Sequence, residues 1–129
     1  MATKDVISTD RAPGPFQGAP YNQAIRVGEL VFVAGQLGIS LETGELAGPD
    51  VIEQTEQVMQ NLGAILEAAG SGLDKLLKTT VFLVDLADFG GMNEVYARHV
   101  GDRPPARSTV GISQLPSGAR VEIEAIAHA

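Results

Sequence analysis

The 129-residue chain has no cysteine, which excludes a disulfide framework, a thiolate metal site and a cysteine nucleophile. Positive charge is scarce: nine Lys and Arg stand against sixteen Asp and Glu, for a formal net charge of −7. Nucleic-acid affinity comes largely from counterions released by clustered Lys and Arg, and the chain has no such cluster. No nucleic-acid partner is therefore expected. The first 30 residues hold no apolar run long enough for a signal peptide, and no segment approaches a membrane span. A cytoplasmic protein with no membrane partner is the default expectation. Internal repeats, linkers and low-complexity tracts are also missing, so residues 1–129 read as one domain.

The remainder is ordinary globular material. With 44% hydrophobic and 19% charged residues the chain is neither disordered nor fibrous. Residues 1–20 carry Pro13, Pro15 and Pro20 beside Gly14 and Gly18, which predicts an irregular N-terminal segment. Ala24–Val27 and Leu30–Val33 read as strands joined by a two-residue turn, with Gly28 supplying positive φ. Residues 51–69 carry apolar side chains at helical spacing, from Val51 and Ile52 to Leu66 and Ala69. Asp50 is placed to cap that helix, Glu53 to complete a capping box, and Gly70 to end it. Leu77–Val84 is rich in β-branched residues and reads as a strand. A second helix starts after Asp88, with Phe89, Met92, Val95 and Tyr96 on one face and Gly90 and Gly91 weakening its first turn.

Arg107–Ile112 and Arg120–Ala127 read as two more strands, joined across Leu115–Gly118 into a closing hairpin. The order β-β-α-β-α-β-β predicts an α+β fold: a mixed sheet with both helices on one face. No third helix is left for the other sheet face. Its apolar strand residues predict cover by a second subunit, hence a homo-oligomer.

Few residues can carry chemistry. Arg107 follows Pro104-Pro105, whose fixed φ stiffens its approach, and a guanidinium fork matches a carboxylate in a bidentate grip. The ordinary alternative is a surface arginine paired with Asp102 or a strand carboxylate. Glu122 and Glu124 share one strand face, where one of them can orient or deprotonate a water; Glu124 reads as solvated. Tyr21 can lend a hydroxyl or simply pack. Asn93 can bind a ligand or its own turn. Ser108 and Thr109 have hydroxyls, but no histidine sits at triad spacing. His99 and His128 stand alone, so no metal is expected. Gly35-Gln36-Leu37-Gly38 is too short for a phosphate loop.

Six stretches in order sharpen this reading: Pro20-Tyr21-Asn22-Gln23-Ala24, Val31–Gln36, Lys78–Leu83, Pro105–Val110, Leu115-Pro116 and Val121–Ala127. From about Pro13 to Ala127 the chain resembles the RidA (YjgF) family of reactive-intermediate deaminases. The resemblance implies a homotrimer of chorismate-mutase-like fold with a pocket at each subunit interface. It implies hydrolysis of enamines and imines such as 2-aminoacrylate and 2-iminopropionate to 2-keto acids and ammonia, without a cofactor. It puts the carboxylate-binding arginine on Arg107, the water-orienting glutamate on Glu122, and pocket contacts on Tyr21, Gly35 and Asn93. Thr109 stands in the pocket where relatives often carry cysteine, and Ala34 where they often carry serine. Gly18-Ala19-Pro20-Tyr21 has one residue more than the usual Gly-Pro-Tyr. Two other functions are open at this point: a ribonuclease or translation inhibitor, and a non-catalytic keto-acid-sensing or chaperone-like trimer.

Overall fold

The computed structural model describes residues 3–129. In chain order the elements are β1 (Asp5–Ile7), β2 (Ala24–Val27), β3 (Leu30–Leu37), α1 (Val51–Ala68), β4 (Leu76–Leu83), α2 (Phe89–Val100), β5 (Ala106–Gly111) and β6 (Val121–His128). They form one mixed six-stranded sheet in the order β1-β2-β3-β6-β4-β5. Helix α1 packs on β3 and β6 and against α2, so the α+β architecture is as expected. Among the described residues no helix is long and apolar enough to cross a membrane.

Two expectations need correction. The N-terminal segment is not wholly irregular, because Asp5–Ile7 pairs antiparallel with β2. The prolines and glycines that signalled loop begin only at Pro13, leaving Val6 and Ile7 free to extend the sheet edge. The last two strands also form no hairpin. β6 runs antiparallel to both β3 and β4, whereas β5 lies parallel to β4 at the far edge. Burial explains the arrangement. Val121, Ile123, Ala125 and Ala127 are all at most 4% exposed, and only a central place under α1 buries such a row. The polar Arg107, Ser108 and Thr109 tolerate an edge.

The core lies between the helices and one sheet face. Met59, Leu62, Ile65 and Leu66 of α1 meet Val31, Val81 and Ile123 there. Ile52, although at stripe spacing, is partly exposed. Asp50 N–H donates to Glu53 Oε1, closing the N-terminal turn of α1 as anticipated. Gly91 has a packing reason: a Cβ there would lie 3.0 Å from Val51 Cγ1 and 3.2 Å from Ile52 Cδ1, so its absence lets α2 cross close to α1.

One irregularity matters for function. Val33 pairs with Ala125 and Gln36 with Ile123, so Ala34 and Gly35 together oppose Glu124 alone. This β-bulge interrupts the inward-outward alternation of β3 beside the strand that carries Glu122. The face away from the helices carries Leu30 and Phe32, which are 42% and 41% exposed. It is an apolar surface of the kind that a second copy covers.

Candidate active site

The bulge makes room for a carboxylate. Were Gly35 to carry a Cβ, it would lie 2.8 Å from Glu122 Cδ and 2.9 Å from its Oε2, closer than such atoms approach. Glycine thus lets the Glu122 carboxylate rest directly over the β3 backbone. On β6 this residue stands between Leu37 of β3 and Phe82 of β4. All three line a cavity of about 750 Å³, with Phe16, Tyr21 and Ser117 across from them. Tyr21 Oη accepts the Phe16 N–H at 2.6 Å, which leaves its own proton free for a ligand. Of the anticipated site residues, Tyr21, Gly35 and Glu122 are brought together.

Glu122 is half-buried, and desolvation raises its pKa above the ordinary carboxylate value, with the nearby charge of Glu124 adding to the effect. Glu124 therefore does more than face solvent: it lines the same cavity. The raised pKa carries a stability consequence. The folded state holds a proton on Glu122 more tightly than the unfolded chain does. Its contribution is thus unfavourable above the folded pKa and vanishes as pH falls below the ordinary value of 4.5. Glu122→Gln should accordingly raise Tm near neutral pH, by less as the pH falls toward 4.5. Thermal unfolding of both proteins across that range checks it, and an equal Tm difference at every pH would contradict the assignment.

Arg107, Asn93 and Thr109 lie elsewhere. Arg107 pairs with Thr79 on β4, which pairs in turn with Ala125 on the helix-covered face of β6. Glu122, three residues from Ala125, points to the opposite face. Within one chain, Arg107 and Glu122 thus lie on opposite sides of the sheet. The guanidinium sits over the Tyr96 ring at 4.9 Å and the Phe89 ring at 5.5 Å, with Nη1 4.0 Å from Met92 Sδ. No carboxylate lies within 4.0 Å of it among the described residues, so the pairing with Asp102 or a strand acid does not occur. Tyr96 Oη is itself fixed, 2.7 Å from Thr79 Oγ1 in a buried hydrogen bond. Burial pushes the Tyr96 hydroxyl pKa up, keeping it neutral beside the cation.

Asn93 shares the α2 face of Phe89 and Tyr96, at i+4 and i−3 spacing. Its Oδ1 is buried without a hydrogen-bond partner. Such an atom costs free energy unless a ligand or water satisfies it. Thr109, two residues along β5, points to the same side as Arg107. The structure adds Phe89, Tyr96 and Thr79 as the frame that holds the guanidinium. Their spacing alone shows a helix stripe and a strand position. The link appears only once the parallel pairing of Thr79 with Arg107 is known. Together the two half-sites offer a stacked, unneutralised cation and a carboxylate of raised pKa.

Residues 11–129 match the family described as Endoribonuclease L-PSP. A RutC family protein of Pyrococcus abyssi is 50% identical over 125 residues, covering 97% of each chain. The 2-iminobutanoate/2-iminopropanoate deaminase of Mus musculus is 43% identical over 124 residues, or 96% of this chain and 90% of that one. Among solved structures, E. coli TdcF with bound serine is similar at TM-score 0.89 and 40% identity, covering 97% of this chain and 98% of that chain.

Proposed function

The chain belongs to the Endoribonuclease L-PSP (YjgF/RidA) family, and on that premise we propose that it hydrolyses small 2-imino acids and their enamine tautomers to 2-keto acids and ammonia. The observation that carries this reading is Arg107: a half-buried guanidinium, stacked on two rings and lacking a carboxylate of its own. A ligand carboxylate is the natural partner for that fork. The serine bound to E. coli TdcF is a molecule of that kind.

Because the two half-sites lie on opposite sheet faces, a complete site needs two copies of the chain. The Arg107 side of one copy would meet the Glu122 side of the next. Such head-to-tail contacts close into a cyclic ring. The chorismate-mutase-like trimer implied by the resemblance is the ring we propose, with its bare sheet faces turned inward over Leu30 and Phe32. The site would work as a small, cofactor-free hydrolase in a soluble cytoplasmic trimer.

The reaction needs little from the protein beyond placement. Arg107 holds the carboxylate, with Asn93 and Thr109 beside it. Glu122 accepts a proton from a water as the water oxygen bonds to the carbon of the protonated imine, giving a neutral tetrahedral carbinolamine. That proton then passes to the nitrogen and the C–N bond breaks. The hydroxyl proton returns to Glu122 as the keto carbonyl forms and ammonia leaves, the ammonia finally taking up that proton. A carboxyl whose pKa lies nearer neutrality exchanges that proton more readily in both directions. Tyr21 has its O–H free to face the substrate.

Ionised Glu122 is the active form, so the rate should fall as the pH drops through its raised pKa. Replacing Glu124 by Gln removes one of the two causes of the shift, so the acid limb of the kcat/KM profile should move to lower pH. Desolvation remains, and the limb should stay above that of an ordinary carboxylate. An unmoved limb would show that Glu124 has no part in setting it.

The deciding assay follows keto acid and ammonia released from freshly generated 2-iminopropanoate. Turnover above the spontaneous rate is expected, and its absence while a keto acid still binds would favour the sensing trimer. The family is also described as an endoribonuclease. Among the described residues, four of the six arginines are already paired with acids: Arg11, Arg26, Arg98 and Arg120. This leaves little free positive charge for a phosphate backbone.

A further inference from the structure

The segment that walls the cavity opposite Glu122 is held by one buried side chain. Gln23 precedes β2 and is 3% exposed. Its Oε1 accepts the Thr9 N–H at 2.7 Å. Its Nε2 donates toward Pro13 O at 2.9 Å, Thr9 O at 3.1 Å and Ala12 O at 3.2 Å. A single carboxamide therefore reads this segment as a neighbouring strand would, donor and acceptors together. Glutamate has no donor for the three carbonyls, and leucine has neither function.

The backbone of the same residue faces the other way. Gln23 O accepts the Ala34 N–H at 2.9 Å, at the bulge that seats Glu122. The chain from Thr9 to Gln23 is thus a compact loop pinched at its neck, the Ω-loop arrangement. Tyr21 Oη, accepting the Phe16 N–H, ties its far end. Without the neck, Pro13, Phe16 and Tyr21 have little else to hold them over the cavity, since Phe16 and Tyr21 are 37% and 42% exposed.

We propose that Gln23 is a positioning residue for substrate binding: its carboxamide clamps the Thr9–Tyr21 loop so that Tyr21 and Phe16 face the ligand, while its backbone carbonyl holds the bulge below. Although Gln23 lines the cavity, its side-chain polar atoms are committed to the loop, so it acts through Tyr21. The kinetic part of this inference rests on the imine-deaminase reading; the clamp itself does not. Loss of the side-chain hydrogen bonds leaves buried carbonyls unpaired on the loop, which releases the loop and spares the sheet.

The test is Gln23→Leu in the full-length protein, read in two ways. Amide hydrogen exchange over residues 10–21 should speed by about tenfold or more while α1 exchanges as in the wild type. With 2-iminopropanoate, KM should rise about five- to tenfold and kcat stay within about twofold, because Arg107 and Glu122 are untouched. Unchanged loop exchange would overturn the clamp. Faster loop exchange with unchanged KM, or a fall in kcat alone, would overturn the positioning role. Gln23→Asn keeps the amide but is one methylene shorter, and it answers the same question if the leucine variant does not fold. A wild type that neither turns over imine nor binds 2-oxobutanoate would sink the deaminase reading, with the exchange result then deciding the clamp alone.

Discussion

Arg107→Ala should lower kcat/KM for imine hydrolysis by about 100- to 1,000-fold, the scale expected when one member of a desolvated charge pair is removed. The size follows from how the guanidinium is held. Phe89 and Tyr96 support it on their faces, the Tyr96 hydroxyl is fixed by Thr79, and no acid of the chain competes for it. A carboxylate ligand therefore meets a fork whose orientation is set before binding, and little conformational freedom is lost on docking. Arg107→Lys keeps the charge but loses the planar, two-pronged geometry, and should recover only part of the loss. Because the cation has no internal acid to leave stranded, the alanine variant should fold normally. Thermal unfolding close to the wild type, alongside the kinetic loss, separates a binding role from a structural one. Activity within about threefold of the wild type would remove Arg107 from the site.

Mixing two inactive variants should restore activity. Glu122→Gln is expected to cost about 100-fold or more as the proton acceptor is lost. In a ring where each site takes Arg107 from one copy and Glu122 from the next, an Arg107→Ala chain still supplies a good glutamate, and a Glu122→Gln chain a good arginine. Random reassembly of equal amounts pairs those two intact halves in about one site in four. Unfolding and refolding the variants together should thus yield about a quarter of wild-type turnover, whereas separately refolded samples combined afterwards stay inactive until subunits exchange. Recovery near zero after co-refolding would mean that both groups act within one chain. The opposite faces occupied by Arg107 and Glu122 argue against that result.

Much of the fold was legible because its signals are local. The 3.6-residue stripe of α1, the capping pair Asp50–Glu53 and the Gly28 turn each depend on neighbours a few residues away. What escaped was pairing between distant segments. Arg107–Ile112 and Arg120–Ala127 both look like strands, and closeness in sequence favours a hairpin. Only the competition for the buried centre of the sheet sends β6 between β3 and β4 and leaves β5 at the edge. β1 escaped because three residues carry almost no periodicity.

The proposed site divides in the same way. Arg107, Glu122, Tyr21, Gly35 and Asn93 could be put forward from residue type and resemblance. The rings under Arg107 could not, since they depend on β4 and β5 lying parallel in register. Glu124 is exposed, as its solvated reading expects. That it also shares a cavity with Glu122 could not be read, because alternation says which side a residue faces and nothing of what it shares that side with. Gln23 looked like one more polar residue before a strand; its four hydrogen bonds run to residues ten to fourteen positions earlier.

The bulge at Ala34–Gly35 has a consequence for how such a strand can change over time. It works as a half-step in phase: Val31 and Val33 face the helices before it, and Gln36 does so after it, although the count between them is odd. Exchanging Ala34 for serine leaves the bulge intact, whereas deleting either residue would restore a regular ladder, with Val33 and Gln36 still facing the helices, and abolish the bulge over which the Glu122 carboxylate rests. The segment is therefore open to substitution at Ala34 but not at Gly35, and closed to changes in length, so insertions or deletions among its descendants should fall in the turns at either end and spare the strand.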